Sequence, residues 1–157
     1  MFRGHRLKTA PLNQNISRLD QMILTLREHE HRITPQRIAV LKILAESNAH
    51  PSVEAIYERV KPDFPTTSLA TVYKTVTLTK ALREVMELGF SEGGNRYDGR
   101  NPSPHPHLIC IRCKKIVDPE IDLLGDMTLE VARESGFEIE SHRLDFFGVC
   151  PECQGAE

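Results

Sequence analysis

Apolar residues recur at helical spacing through most of the first half of the chain. Leu19, Ile23 and Leu26 form one stripe, Ile38, Leu41 and Leu44-Ala45 a second, and Val53, Ile56, Tyr57 and Val60 a third. Each stripe follows a residue that starts helices. Ser17 precedes Asp20 by three positions, a capping-box-like pair in which the carboxylate also favours the positive end of the helix dipole. Thr34 precedes Pro35, which suits the first helical position because the missing N–H would have no partner there. Ser52 follows the break Asn48-Ala-His50-Pro51, and Pro62 and Pro65 end the third segment. A fourth helix is expected from Ser68 to Thr79. Leu69, Val72 and Val76 would line its apolar side and leave Thr71, Tyr73, Lys74 and Thr75 for another surface.

The pattern then changes. Arg83–Leu88 predicts a strand, Gly89–Gly94 a turn and Asn95–Asp98 the returning strand. Three helices, a polar-faced fourth and a hairpin are the order of a winged helix-turn-helix, with the fourth helix placed in a DNA major groove. Gly99-Arg-Asn-Pro-Ser-Pro104 is a linker by composition. Beyond it, Leu108–Ile111 and Lys115–Val117 predict strands. Ile121–Ser135 predicts a helix with Leu123, Leu124, Met127 and Val131 inward and Gly136 as its stop. Phe137–Ile139 and His142–Phe147 complete the set as strands. The fold class is therefore α+β. Residues 1–15 form a flexible arm, 16–98 a winged-helix DNA-binding domain, 99–104 a hinge and 105–157 a small α/β domain.

Composition narrows the functional classes. With 39% hydrophobic and 27% charged residues, the chain is an ordinary globular protein. No apolar run approaches the roughly 18–20 residues that span a bilayer, and the N-terminus lacks the apolar core of a signal peptide. A cytoplasmic protein with no membrane partner is expected. The net charge of −2 hides an asymmetry: residues 1–90 carry 13 Lys/Arg and 9 Asp/Glu, whereas residues 91–157 carry 7 and 13. A basic half joined to an acidic half suits a nucleic-acid module joined to a metal-binding one.

All four cysteines lie in two Cys-x-x-Cys pairs, Cys110/Cys113 and Cys150/Cys153, separated by 36 residues. In a reducing compartment this pattern points to a tetrahedral four-thiolate zinc site, closed to further ligands and hence structural. Free buried thiols and redox disulfides are the alternatives; the redox version predicts that reductants, not chelators, alter the fold. His105 and His107 share a face of an extended strand, and Cys110 has the opposite parity. Imidazoles and thiolates therefore serve different sites. Candidate partners for the imidazoles are His50 at the helix break, Asp98 at the end of the wing and Asp118 after the cysteine turn. Histidines with carboxylates suit a divalent ion such as Fe(II) or Mn(II). Taken singly, His50-Pro51, Asp98-Gly99 and Asp118-Pro119 are also common loop and turn pairs.

The ordered motifs Ile33-Thr-Pro-Gln-Arg37, His50-Pro51, Leu69-Ala-Thr-Val-Tyr73, Arg96-Tyr-Asp98, His105-x-His-Leu-Ile-Cys-x-x-Cys113 and Cys150-x-x-Cys153 resemble the ferric uptake regulator (Fur) family. The resemblance spans about Leu19 to Cys153. It implies a homodimeric repressor of double-stranded operator DNA, dimerised through the C-terminal domain, with His50, Asp98, His105, His107 and Asp118 as the regulatory metal ligands. Aspartate at 98 and 118, where iron-sensing members usually carry glutamate, resembles the peroxide-stress subfamily. There a bound Fe(II) leads to oxidation of a ligand histidine, with His50 and His107 as candidates here. Iron sensing is the alternative within the family, and a small metalloenzyme using the His/Asp site is the alternative outside it, although no activated nucleophile or small organic substrate is suggested. Pro104 and Pro106 occupy ligand positions of a third family site, so two sites per chain are expected. Tyr73 and Lys74, flanked by Thr71 and Thr75, are the expected DNA contacts. Arg18, Arg32 and Arg37 are candidates for phosphate contacts.

Overall fold

A computed structural model describes residues 16–90, 94–121 and 124–155. The arm expected over 1–15, the tip of the wing turn, Leu123 and the side chain of Leu124 lie outside that description. The chain runs α1 (Arg18–Glu28), α2 (Pro35–Glu46), α3 (Val53–Val60), α4 (Leu69–Ala81), β1 (Met86–Leu88), β2 (Arg96–Asp98), β3 (Pro106–Cys110), β4 (Ile116–Val117), α5 (Leu124–Ser135), β5 (Leu144–Gly148) and α6 (Pro151–Gln154).

The first four helices begin where their caps require. Ser17, Thr34, Ser52 and Ser68 each accept the amide N–H three residues on, from Asp20, Arg37, Ala55 and Thr71. Each such cap stabilises its helix by about 1 kcal/mol. The apolar stripes meet in one core of Met22, Leu26, Val40, Leu41, Leu44, Val53, Ile56, Val60, Val72 and Val76, closed by Val85 and Tyr97 of the wing. β1 and β2 pair antiparallel with Met86 opposite Asp98. Glu87 ties the wing to α4: it accepts from Tyr97 Oη at 3.1 Å and Asn95 Nδ2 at 2.7 Å and pairs with Lys80. The Lys80 ammonium holds the Glu87 carboxyl below its usual range, and burial followed by Glu87 itself pushes the Tyr97 phenol up to about 12.

The second half is a three-stranded sheet of order β4-β3-β5. β3 and β4 are antiparallel, whereas β3 and β5 run parallel and are joined through α5. A second small core of Leu88, Ile109 and Ile116, with Met86 and Phe90 against it, packs the end of the wing onto this sheet.

Several sequence expectations are corrected. Thr75 is 1% exposed, because it lies three positions after Val72 and one before Val76 on the inward stripe. Its hydroxyl donates to the Thr71 carbonyl at 3.1 Å, so it belongs to the core rather than to the DNA-facing surface. Leu69, in the first turn of α4, is 37% exposed instead of inward. Arg18 is committed to the fold: it donates to Gly99 O at 2.7 Å and pairs with Glu84 at 2.6 Å, leaving no free guanidinium for a phosphate. Met127 and Val131 of α5 are 44% and 50% exposed, because among the described residues no element covers that face. The strand expected over Phe137–Ile139 is absent from the described sheet; that stretch has no neighbouring strand to receive its hydrogen bonds, and Phe137 is 71% exposed.

Gly99 lies directly against the core. A Cβ there would lie 2.8 Å from Leu44 Cβ and 3.0 Å from Leu44 O, both fixed in the core. Gly99→Ala should therefore cost about 1–3 kcal/mol, the usual penalty for forcing an extra methyl into packed surroundings. Urea denaturation should show a lowered midpoint; an unchanged midpoint would mean that the hinge is not packed as described.

Candidate metal centre

The cysteine site is built from two turns. β3 ends at Cys110, and the chain reverses through Lys114 (φ +62°) so that the Lys114 N–H donates to Cys110 O at 3.0 Å. Cys150 caps α6, which brings Cys153 back one turn later. All four sulfurs lie within 4.8 Å of one another, and Cys113 Sγ is 3.7 Å from Cys150 Sγ. Four thiolates about 2.3 Å from one ion stand roughly 3.8 Å apart, so the spacing is that of a tetrahedral edge and not of a disulfide. The backbone N–H of Cys150, 3.4 Å from Cys110 Sγ, and that of Cys113 lower the Cys110 thiol and favour its thiolate. The neighbouring Cys150 and Cys113 sulfurs raise the Cys153 thiol. A zinc ion among them would offset the charge of the clustered sulfurs.

The histidine site draws on both halves of the chain. His50 sits in the break between α2 and α3 with φ +47°, a strained backbone for a residue with a side chain. Arg96 donates to His50 O at 3.2 Å and the Tyr97 N–H donates to Pro51 O at 3.0 Å, so β2 holds the strained turn. Asp98 ends β2. Its Oδ1 accepts the amides of Arg100 and Asn101, both at 2.9 Å, which leaves Oδ2 aimed at the imidazoles. His105 is oriented by Ser103 O, 2.7 Å from its Nδ1. His107 lies on β3, facing inward beside Ile109. Asp118 follows β4.

Ligating atoms of His50, Asp98, His105 and His107 all lie within 4.8 Å of one another. Asp98 Oδ2 is 3.4 Å from His50 Nε2 and 3.2 Å from His105 Nε2. Asp118 oxygens stand 3.1 Å from His50 Nε2, 3.4 Å from His105 Nε2 and 3.8 Å from His107 Nε2. The five residues expected from the sequence are thus together. His50, Asp98 and His107 are at most 3% exposed, His105 is 12% and Asp118 37%, so Asp118 closes the site from the solvent side. A polar cleft of about 830 Å³, lined by Arg100, Asn101, His105, Asp118 and Glu120 among others, reaches the site on this side.

The buried atoms themselves call for a cation. His50 Nε2, Asp98 Oδ2, His105 Nε2 and His107 Nε2 are all buried without a hydrogen-bond partner. Such groups are seldom left unpaired in a folded protein. Imidazole nitrogens beside carboxylate oxygens are a donor set that suits a divalent ion. Burial opposes ionisation of Asp98, but the His105 and His50 side chains overcome it and hold the carboxyl well below the carboxylate range. Conversely, Asp98 raises the His105 imidazolium to about 9 against the opposing effect of burial. Burial, with His105 next, lowers His107 and favours its neutral form, the form in which an imidazole can bind a metal.

One contributor escaped the sequence reading. Asp145 on β5 is paired in register with His107, and its Oδ1 lies 3.4 Å from His107 Nδ1. The sequence signal was a carboxylate within an otherwise apolar strand, but only the parallel pairing shows which residue it faces. His142 has its Nδ1 3.4 Å from Thr128 Oγ1. On α4, Thr71, Tyr73 and Lys74 are exposed, and Tyr73 Oη reaches Glu54 at 3.4 Å. Thr77, which the sequence reading omitted, is exposed on the same helix.

Residues 28–147 match the model of the "Ferric uptake regulator family". The chain belongs to the ferric uptake regulator family. Accordingly it is a metal-dependent transcriptional regulator, not an enzyme, and the family's members bind DNA and dimerise. The chain is 38% identical over 136 residues to the peroxide-responsive repressor PerR of Staphylococcus aureus, covering 87% of this chain and 91% of that one. Among solved structures it resembles the Helicobacter pylori ferric uptake regulator, described as having three functional metal-binding sites. That match has a TM-score of 0.75 at 26% identity and covers 90% of this chain and 94% of the other. It also resembles the Campylobacter jejuni peroxide stress regulator, with a TM-score of 0.69 at 28% identity, over 83% and 98% of the two chains. The cysteine cluster and the His/Asp cluster are typical of the zinc and regulatory sites of such proteins. No helix among the described residues is long and apolar enough to cross a membrane.

The paired His105 and Asp98 give the site a pH dependence. Below about pH 9 the metal-free protein holds a proton on His105 that a metal must displace. Mn(II) affinity should therefore fall about tenfold for each pH unit lowered below that value, from this group alone. Mn(II) titrations followed by electron paramagnetic resonance at several pH values check this; an affinity independent of pH would contradict the protonated pair.

Proposed function

We propose that this chain is a peroxide-responsive repressor of the cytoplasm that binds a palindromic operator as a homodimer. Zinc occupies the four-cysteine site, and Fe(II) or Mn(II) occupies the site of His50, Asp98, His105, His107 and Asp118. The observation that carries this reading is the origin of the five ligands. His50 comes from the helical core and Asp98 from the wing, whereas His105, His107 and Asp118 come from the C-terminal sheet and its approaches.

An ion held by all five stabilises one arrangement of the two halves over others, which is how a ligand shifts a conformational equilibrium. The exposed apolar face of α5 and β5, including Leu129, Val131 and Phe147, supplies the surface on which a second copy docks. With that interface fixed, the arrangement of the halves sets the spacing of the two α4 helices on DNA. Thr71, Tyr73 and Lys74 then face the operator; Lys74 supplies charge for phosphates, and Thr71 and Tyr73 supply hydroxyls for phosphates or base edges.

Two observations support peroxide sensing over iron sensing: the carboxylate ligands are aspartates, and the curated relative above is a peroxide-responsive repressor. Fe(II), held by these five residues, would supply the reducing electrons that cleave peroxide; peroxide is the oxidant, one of its oxygens entering an imidazole ring and the other leaving as water. His105 and Asp118 line the solvent cleft, which gives a small oxidant its approach. His50 and His107 are the oxidation candidates from the sequence, and His105 joins them by its place on the cleft. An oxygen on the ring would weaken that residue as a ligand, and loss of the ion would release the two halves.

Anisotropy with a palindromic duplex should show metal-loaded dimer binding about 10- to 100-fold more tightly than chelated protein. His107→Ala should lose that difference; metal-independent binding by both proteins would sink the mechanism. Peroxide should add a single oxygen to His50, His105 or His107 of Fe(II)-loaded protein and leave Mn(II)-loaded protein unmodified, as read by mass spectrometry. Operator release by peroxide without any histidine modification would contradict the sensing route.

A further inference from the structure

His107 is the most enclosed of the three imidazoles, at 0% exposure. Its two ring nitrogens face opposite ways. Nε2 faces Asp118 and the metal site, while Nδ1 faces Asp145 Oδ1 at 3.4 Å. Both Nδ1 and Oδ1 are buried and neither has a hydrogen-bond partner. The separation is slightly beyond the roughly 2.7–3.2 Å of an ordinary N–H···O bond, and such bonds often tighten only when a site is loaded. The register is not adjustable: β3 and β5 pair His107 with Asp145, between the pairs Pro106–Leu144 and Leu108–Phe146.

Asp145 is itself held from behind. Arg143 Nη2 lies 2.6 Å from Asp145 Oδ2. The same nitrogen is 3.4 Å from Gly89 O, and the guanidinium sits over the Phe90 ring, 5.8 Å from its centre. Phe90 in turn packs against the small core that joins the wing to the sheet. The other two imidazoles are supported differently. His105 Nδ1 faces a backbone carbonyl, and His50 Nδ1 has no partner. A carboxylate behind a ligating imidazole fixes its tautomer, aims the other nitrogen at the ion and raises its basicity.

We infer that Asp145, held by Arg143, is a positioning residue that keeps the proton of His107 on Nδ1 and its Nε2 free for the regulatory metal. The inference rests on the proposed function of the His/Asp cluster. Through Arg143 the same support includes the end of the wing, so the wing and His107 are held by one pair of side chains.

The test uses the full-length, zinc-loaded protein. Long-range proton–nitrogen NMR of the form free of regulatory metal should show His107 as the Nδ1–H tautomer; a dominant Nε2–H tautomer overturns the inference. Mn(II) affinity, read by electron paramagnetic resonance, should fall about 10- to 100-fold in Asp145→Asn, the usual loss when such a partner is removed. Asp145→Glu should recover most of the affinity, and Arg143→Gln should show a smaller fall. A merely structural Asp145 would lower the urea midpoint yet leave affinity within twofold and the tautomer unchanged, and that result overturns the role. His107→Ala separates the two levels. If it binds Mn(II) like the wild type, the assignment of the metal site fails and this role fails with it. If it loses Mn(II) while Asp145→Asn does not, only the role of Asp145 fails.

Discussion

Buried imidazole nitrogens and carboxylate oxygens that face one another without hydrogen bonds are the constraint on which this molecule depends. His50, Asp98 and His107 are almost fully enclosed, yet their functional atoms have no conventional partners. Such groups are seldom left unpaired in a folded protein, and imidazole and carboxylate atoms converging on one point suit an ion that completes them. In the metal-free form the nearest substitute is a proton shared out by charge: His105 is held protonated against Asp98, and His107 stays neutral. A divalent cation held there, as proposed, would replace that proton and give these atoms a shared partner.

The rest of the fold can be read as the means of bringing those atoms together. The four side-chain caps and the shared helical core fix α2 and α3, and the strained turn at His50 is held between them by β2. The Asx-type turn of Asp98 sets one carboxylate oxygen toward the histidines while the other holds the hinge amides. Gly99 permits this only because it carries no side chain against Leu44. On the other side, β3 presents His107 inward and ends in Cys110, so one strand serves both clusters with opposite parity. The cysteine cluster secures the far end of that strand to the end of the chain, a fixed base for the histidines.

Much of this was legible in the sequence because it is local. Caps, helical stripes, the wing, the two Cys-x-x-Cys turns and the parity of His107 against Cys110 depend on residues within a few positions of one another. What was not legible depends on long-range placement. Thr75 looks available on a polar helix face until the core shows that its stripe is the buried one. Arg18 looks like a surface charge until Glu84 and Gly99, remote in sequence, are seen to hold it. Asp145 could be recognised only through its parallel register with His107. The α5 face misled for a different reason: its apolar residues are patterned for burial, but among the described residues no element covers them.

An ion held by the five proposed ligands would join the two halves through the hinge. Hydrogen–deuterium exchange at the Arg100 and Asn101 amides, which donate to Asp98, reads that directly. With zinc retained, adding Mn(II) should slow exchange at these two amides by about 10- to 100-fold while Leu41 and Leu44 of the α2 core stay unchanged. Equal rates at Arg100 and Asn101 with and without Mn(II), in protein shown to bind the ion, would contradict it.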